Sequence, residues 1–327
     1  MALKGRVVDS PVDIGQFATP VFARVVDLDG HYAARADRLD ALAEGNPLAP
    51  FLRFVAAIAR AQQGVAAMLP AATPPPDDHV AFCKAHGFAP VDRLTWHRDP
   101  GFLAGARAIA EAIAGTSMPP EASEALRAFA GRDDASLDGL ADRFLRWEAA
   151  PWEAGELPFA AAALDLYWTR MAAALDAATL TPLENRALCP VCASPPVASV
   201  IEVASGRQGS RFLCCSMCAT RWNYVRVKCS ACESTEGIAY QQIEGGPKAV
   251  RAETCDTCKS YAKVIHLEEA PDAEPVADDL ATVGLDILVS EAGWGRACPN
   301  LYLLPEASEE ATEPLSRPVP DRDRPFS

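Results

Sequence analysis

Eight of the eleven cysteines lie between residues 189 and 258 as four CxxC pairs: Cys189/Cys192, Cys215/Cys218, Cys229/Cys232 and Cys255/Cys258. The first pair is separated from the second by 22 residues, the third from the fourth by 22 again, and each cysteine of the first two pairs has an equivalent 40 positions later. Arg211 and Arg251 obey the same offset, each four residues before a CxxC. This is a tandem duplication of a four-cysteine unit. A CxxC turn aims two thiolates at one point, and two turns together supply the four soft ligands of a tetrahedral zinc or mononuclear iron centre. A lone CxxC also suits a redox dithiol and four suit structural disulfides, but the periodic pairing favours metal. Sequential pairing of the knuckles follows the duplication; an interleaved cross-brace is the alternative.

Each 22-residue gap has room for a β-hairpin. In the first, residues 197–203 and 211–214 flank a turn-like 204–210; in the second, 238–244 and 249–253 flank 245–247. The expectation is two successive rubredoxin-like or zinc-ribbon modules, at 186–228 and 229–268. Units this small bury little core, so bound metal supplies much of their folding free energy.

The remaining chain has a different character. Residues 1–20 read as a flexible leader, and from about Ala23 an Ala-rich, helix-spaced pattern begins. Residues 22–43 form the first predicted helix, and Pro47 is placed to start the second, with Leu48, Leu52, Val55 and Ala59 along one face. Phe102, Ala106, Ile109 and Ile113, then Leu137, Leu140, Phe144 and Leu145, then Leu164, Trp168, Met171 and Leu175 repeat that spacing. An all-helical domain over 21–182 follows, giving an α+β chain overall. A last helix is expected at 279–291, opened by Asp278 and Asp279, with Leu280, Val283 and Ile287 inward; it belongs to a C-terminal helical segment at 276–304. The charged, Pro-rich stretch 305–327 reads as a disordered acidic tail.

The formal net charge of −14 argues against a general nucleic-acid binder, so no stable nucleic-acid partner is expected. No early apolar run resembles a signal peptide, and none reaches the roughly 18 residues of a membrane-spanning helix. With paired cysteines in a chain of 327 residues, the expectation is a cytoplasmic protein without membrane insertion. Within 186–268, ten Lys/Arg stand against seven Asp/Glu, a locally basic segment in an acidic chain. RWNYVR at 221–226 places Trp222 and Tyr224 on one face of a strand. Arg221, Trp222, Arg226 and Arg251 join the acidic Asp278 and Asp279 as candidate partner contacts, a basic-aromatic patch set against an acidic end. Cys214, whose counterpart in the repeat is Thr254, reads as a spare packed thiol, and Cys298 as an isolated cysteine near the turn at Pro299-Asn300. His31, His79, His86, His97 and Cys83 form no short-range catalytic or ligand signature, and Tyr167, Trp168 and Met171 read as core. No P-loop, dinucleotide fingerprint or metal-hydrolase motif is evident, so the chain reads as an accessory protein without a catalytic site.

Taken together, CPVC at 189–192, GSRFLCCSMC at 209–218 followed by RW, CSAC at 229–232, RAETCDTC at 251–258 and DDLATVGLDILVSEAGWGR at 278–296 resemble the formate dehydrogenase accessory protein family, FdhE. GNPLAPFLRF at 45–54 and ARAQQ at 59–63 resemble its helical region. The resemblance implies a maturation factor that contacts the formate dehydrogenase catalytic subunit in the cytoplasm, with two four-cysteine metal centres. It narrowly favours iron over zinc, a choice that spacing leaves open. An iron-dependent electron-transfer module and a metal-stabilised nucleic-acid binder are the alternative functions.

Overall fold

The computed structural model describes residues 21–202 and 209–303; the leader at 1–20, the turn residues 204–208 and the tail at 305–327 lie outside the described residues. Seven helices build the first body: α1 (His31–Ala43), α2 (Ala49–Met68), α3 (Asp77–His86), α4 (Pro100–Ala114), α5 (Pro120–Gly131), α6 (Asp134–Arg146) and α7 (Leu157–Ala173). Local chemistry starts several of them. Asp99 accepts a hydrogen bond from the Gly101 N–H ahead of Pro100, and Asp133 accepts one from Ser136. α7 is buried around its whole circumference from Phe159 to Ala172, with α2, α4, α5 and α6 packed about it. The apolar positions predicted for α2, α4 and α6 are buried in the same core, with Leu48 at its edge.

The ribbons follow as β2 (Pro196–Glu202), β3 (Ser210–Cys215), β4 (Arg221–Tyr224), β5 (Ile238–Gln241), β6 (Val250–Cys255) and β7 (Ser260–His266). Both predicted hairpins form: β2 pairs antiparallel with β3, and β5 with β6. The two modules then join through parallel β2–β7 pairing, with Ser199 opposite Val264 and Ile201 opposite His266. With β1 (Ala23–Arg24), the sheet order is β1-β4-β3-β2-β7-β6-β5, and β8 (Gly295–Arg296) pairs with β7 beside β2.

Three boundaries differ from the sequence expectation. The first helix begins at His31, not near residue 22, because Ala23 and Arg24 pair with Trp222 and Arg221 and Gly30 turns the chain at φ 74°. α2 begins at Ala49, after Asn46 Oδ1 accepts from the Leu48 N–H at 2.9 Å. The C-terminal helix is two helices, α8 (Pro275–Ala281) and α9 (Val283–Glu291); the Glu274 carboxylate accepts the Ala277 N–H at the start of α8, and Asp278 accepts the Glu274 N–H in return, each at 2.8 Å. The break at Thr282 frees backbone carbonyls, and Lys263 Nζ donates to those of Asp279 and Thr282 at 2.8 and 3.2 Å. The break also resets the helical phase. Leu285 and Val289 turn inward, while Ile287 is 54% exposed.

α8 holds the two bodies together. Arg38 on α1 donates to both Asp278 oxygens at 2.9 and 2.6 Å, and Arg35 on α1 bridges Asp165 of α7 and Glu274 at 2.7 and 3.1 Å. On the other side, the fully buried Asp279 pairs with Lys263 of β7 at 3.1 Å and Arg296 of β8 at 2.5 Å, and accepts from Asn300 at 2.8 Å. Burial opposes its ionisation, but Lys263 and Arg296 hold the Asp279 carboxyl below its ordinary pKa. Removing one partner of a buried pair strands the other charge, at a cost of about 3–5 kcal/mol. Asp279→Asn is therefore expected to destabilise the protein by that order near pH 7 in urea unfolding. Because the native pKa is depressed, this contribution is present above the unfolded value of about 4, so the gap between wild type and variant narrows as pH falls below it.

Candidate metal centres

The four knuckles share one local geometry. The residue after each second cysteine, Ala193, Ala219, Glu233 or Lys259, has φ between 52° and 62°. This left-handed residue closes the turn, so that the Cys189 N–H bonds the Ser194 carbonyl and the Cys229 N–H bonds the Ser234 carbonyl. Backbone donors then face the sulfurs. The Val191 N–H lies 3.4 Å from Cys189 Sγ, those of Met217 and Cys218 lie 3.3 Å from Cys215 Sγ, and that of Ala231 lies 3.3 Å from Cys229 Sγ.

Sequential pairing is observed. Cys189, Cys192, Cys215 and Cys218 converge as one cluster and Cys229, Cys232, Cys255 and Cys258 as the other, with all sulfurs of a cluster within 4.8 Å of one another. Sulfur separations are 3.5 Å for Cys189–Cys218, 3.4 Å for Cys192–Cys215, and 3.7 Å for both Cys229–Cys258 and Cys232–Cys255. A tetrahedral centre with metal–sulfur bonds of about 2.3 Å spaces its sulfurs by about 3.8 Å, whereas a disulfide needs about 2.05 Å. Both donor sets thus fit a four-thiolate metal ion, and all eleven cysteines are free thiols.

The two centres differ in their surroundings. All four sulfur residues of the first are buried, whereas Cys232 of the second is exposed and Cys258 half-buried. The helical body closes over the first: the Val91 N–H donates to the Val191 carbonyl at 3.1 Å and the Arg93 N–H to that of Cys192 at 2.9 Å. Burial pushes the Cys189 and Cys215 thiols up. Cys192 is equally buried, but hydrogen bonds from Cys189, Cys215 and Cys218 bring it well below its ordinary value. In the second cluster burial lifts Cys229 to about 12, while against the same opposition the Cys258 and Thr257 N–H groups bring Cys255 down to about 7. Arg93 beside this centre is half-buried, and burial pushes its guanidinium pKa down against the opposing charges of Cys192, Asp92 and Cys215. Its isolated position in the chain carries no motif that would have singled it out.

The duplicated arginines have diverged. Arg211 is buried and pairs with Glu253 of the second module at 2.9 Å, while its counterpart Arg251 lies at the surface on Glu269 at 2.7 Å. Of the other predicted partner contacts, Arg226 is exposed and Arg221 is one-third exposed. Burial removes three from any exposed recognition surface. Trp222 is 1% exposed, with its indole N–H on the Arg186 carbonyl; Asp278 at 2% and Asp279 at 0% are occupied by the ion pairs of α8. Cys214 and Cys298 are buried, each pushed up to about 11 by that burial, and Cys83 is buried 3.5 Å from His79 Nε2. Tyr167, Trp168 and Met171 are core residues.

Residues 20–185, 188–226 and 227–303 match in turn the family models described as FdhE, N-terminal; FdhE, central domain; and FdhE, C-terminal domain. A protein FdhE homolog of Rhizobium meliloti (strain 1021) is 36% identical over 304 residues, spanning 90% of this chain and 96% of that one. Another, from Stutzerimonas stutzeri (strain A1501), is 38% identical over 277 residues, spanning 84% and 90%. The crystal structure of the FdhE protein from Pseudomonas aeruginosa superposes with a TM-score of 0.79 at 33% identity, covering 87% of this chain and 99% of that one.

The unequal burial of the two centres has a measurable consequence. On challenging metal-loaded protein with a chromophoric chelator, release is expected in two phases, the fast one from the centre containing Cys232. Cys255→Ser is expected to abolish the fast phase and Cys215→Ser the slow one; a single phase of both metals would contradict the assignment.

Proposed function

The chain belongs to the FdhE family, and on that premise we propose that it supports maturation of respiratory formate dehydrogenase in the cytoplasm by binding the enzyme's catalytic subunit. Its membership makes it a formate dehydrogenase accessory protein. No helix among the described residues is long and apolar enough to cross a membrane. The observation that carries the finer reading is the pair of preformed four-thiolate centres on one continuous sheet, anchored by buried ion pairs to a helical body. Such a scaffold holds a surface rigid without needing a catalytic cleft. Iron at either centre would supply one-electron chemistry, whereas zinc would be redox-silent.

The proposed contact surface centres on the segment between the ribbons, where Arg226 is exposed between Val225 and Val227, at 58% and 52% exposure. Exposed apolar side chains flanking an arginine suit a protein hot spot. Arg221 and Arg251, partly exposed on the same sheet, extend it. The solvent-facing Cys232 favours a second reading, that the second centre exchanges electrons with the partner.

Anaerobic co-purification with immature catalytic subunit tests the first reading. Wild-type protein is expected to form a stoichiometric complex, and Arg226→Glu with Val227→Asp to weaken it about tenfold or more while retaining both metals. Failure of the wild type to bind would overturn the reading. Iron-loaded and zinc-loaded forms separate the roles of the metal: equal recovery of formate dehydrogenase activity with both would exclude obligate electron transfer.

A further inference from the structure

A cavity of about 250 Å³ lies where β1, α1, β3, β4 and the start of α8 meet, and Cys215 of the first centre forms part of its wall. It is smaller than the roughly 300–1,000 Å³ of sites for drug-sized ligands, which restricts it to a small molecule or ion. Besides the cysteines, its ionisable lining is Arg24, His31, Arg35, Arg221 and Glu274. The Arg24 and Arg221 side chains are 46% and 33% exposed and connect it to solvent, while Arg35 is buried at 2%.

Accounting for the hydrogen bonds fixes what the cavity has to offer. Glu274 is the one carboxylate of the lining, and its oxygens are already engaged, Oε1 by Arg35 Nε at 3.1 Å and Oε2 by the Ala277 N–H at 2.8 Å. Arg35 is matched by Asp165 and Glu274, and its Nη2 lies 3.2 Å from His31 Nε2. A guanidinium only donates, so His31 Nε2 is the acceptor and its proton resides on Nδ1. Burial and then Arg35 hold the His31 pKa well below its ordinary value, so the ring is a neutral donor here. Arg24 donates to both oxygens of Glu202 at 3.0 and 2.8 Å, and Arg221 approaches that same carboxylate no closer than 3.7 Å. One carboxylate serves two guanidiniums. Among the described residues, the unused capacity is therefore made of donors: the Arg221 guanidinium, the remaining N–H groups of Arg24 and the His31 Nδ1–H.

We propose that this cavity binds a small oxyanion, a carboxylate or inorganic phosphate, with Arg221 as its principal partner and Arg24 and His31 completing the donor set. Charge-assisted bonds to a planar guanidinium are the strong ones, and the surplus cation at the mouth supplies the matching charge. The thiolates of the first centre compete for the same cation, and the two roles separate by experiment. Metal-loaded full-length protein is titrated calorimetrically with sodium formate and with inorganic phosphate in chloride-matched buffer, so that the anion which binds identifies the source. Saturable one-site binding of at least one anion is expected, weakened about tenfold or more in Arg221→Gln and in Arg24→Gln. Arg127→Gln, an exposed arginine on α5, serves as the control with unchanged affinity. Absence of saturable binding by the wild type, or equal affinity in both cavity variants, would overturn the assignment. So would loss of metal from Arg221→Gln in a protein whose wild type binds neither anion, because Arg221 would then serve the thiolates alone.

Discussion

Two adjacent buried aspartates on one short helix decide how this molecule is assembled. Asp278 faces the helical body and takes Arg38; Asp279, one residue on, faces the sheet and takes Lys263 and Arg296. Buried charges are costly to desolvate, so such groups persist where each oxygen is matched by a donor. On α8, Arg38 donates to both Asp278 oxygens and Arg296 and Asn300 donate to Asp279 Oδ2, while Asp279 Oδ1 has the Lys263 ammonium at 3.1 Å as its ion-pair partner without a hydrogen bond. Lys263 also satisfies the carbonyls released at Thr282, so the same cation that anchors the sheet stabilises the break between α8 and α9. Displacing α8 would strand charges in two places, which couples the helices to the ribbons.

The two four-cysteine clusters, their sequential grouping and both hairpins were legible because cysteine spacing is a local signal tied to turn and coordination geometry. Helical periodicity likewise located the inward faces of α2, α4 and α6, whereas α7 is buried around its whole circumference and has no single inward face to find. The acidic pair was misread for a physical reason: adjacent aspartates at a helix start resemble dipole-favoured surface charge, and their cationic partners lie on α1, β7 and β8. Trp222 was misread similarly, since alternation marks the strand's inward face without revealing that another strand and the Arg186 carbonyl cover it. The β1 strand is only two residues long and carries no periodic signal, so its pairing depends wholly on tertiary context.

Duplication at the level of sequence has become division of environment in the fold. Arg211 reaches across to Glu253, and Tyr240 donates to the same carboxylate at 2.8 Å, so an arginine of the first module completes the interior of the second. Its counterpart Arg251 stays at the surface. The first centre sits beneath the helical body with Arg93 nearby, and the second keeps Cys232 in contact with water. The same four-cysteine scaffold thus presents one candidate metal centre sealed by its neighbours and one whose cysteines meet solvent.

The pairing of Ala23 and Arg24 with β4 closes a loop of about 200 residues and caps one edge of the sheet with the start of the chain. An uncapped strand edge is a template for pairing with another molecule. A fragment cut at the boundary between helices and ribbons would leave β4 open beside the apolar surface around Trp222, and would self-associate although its cysteines could still take up metal. The natural unit for dissection is therefore not the ribbon pair: the strand that finishes the ribbon sheet belongs to the segment that precedes the first helix.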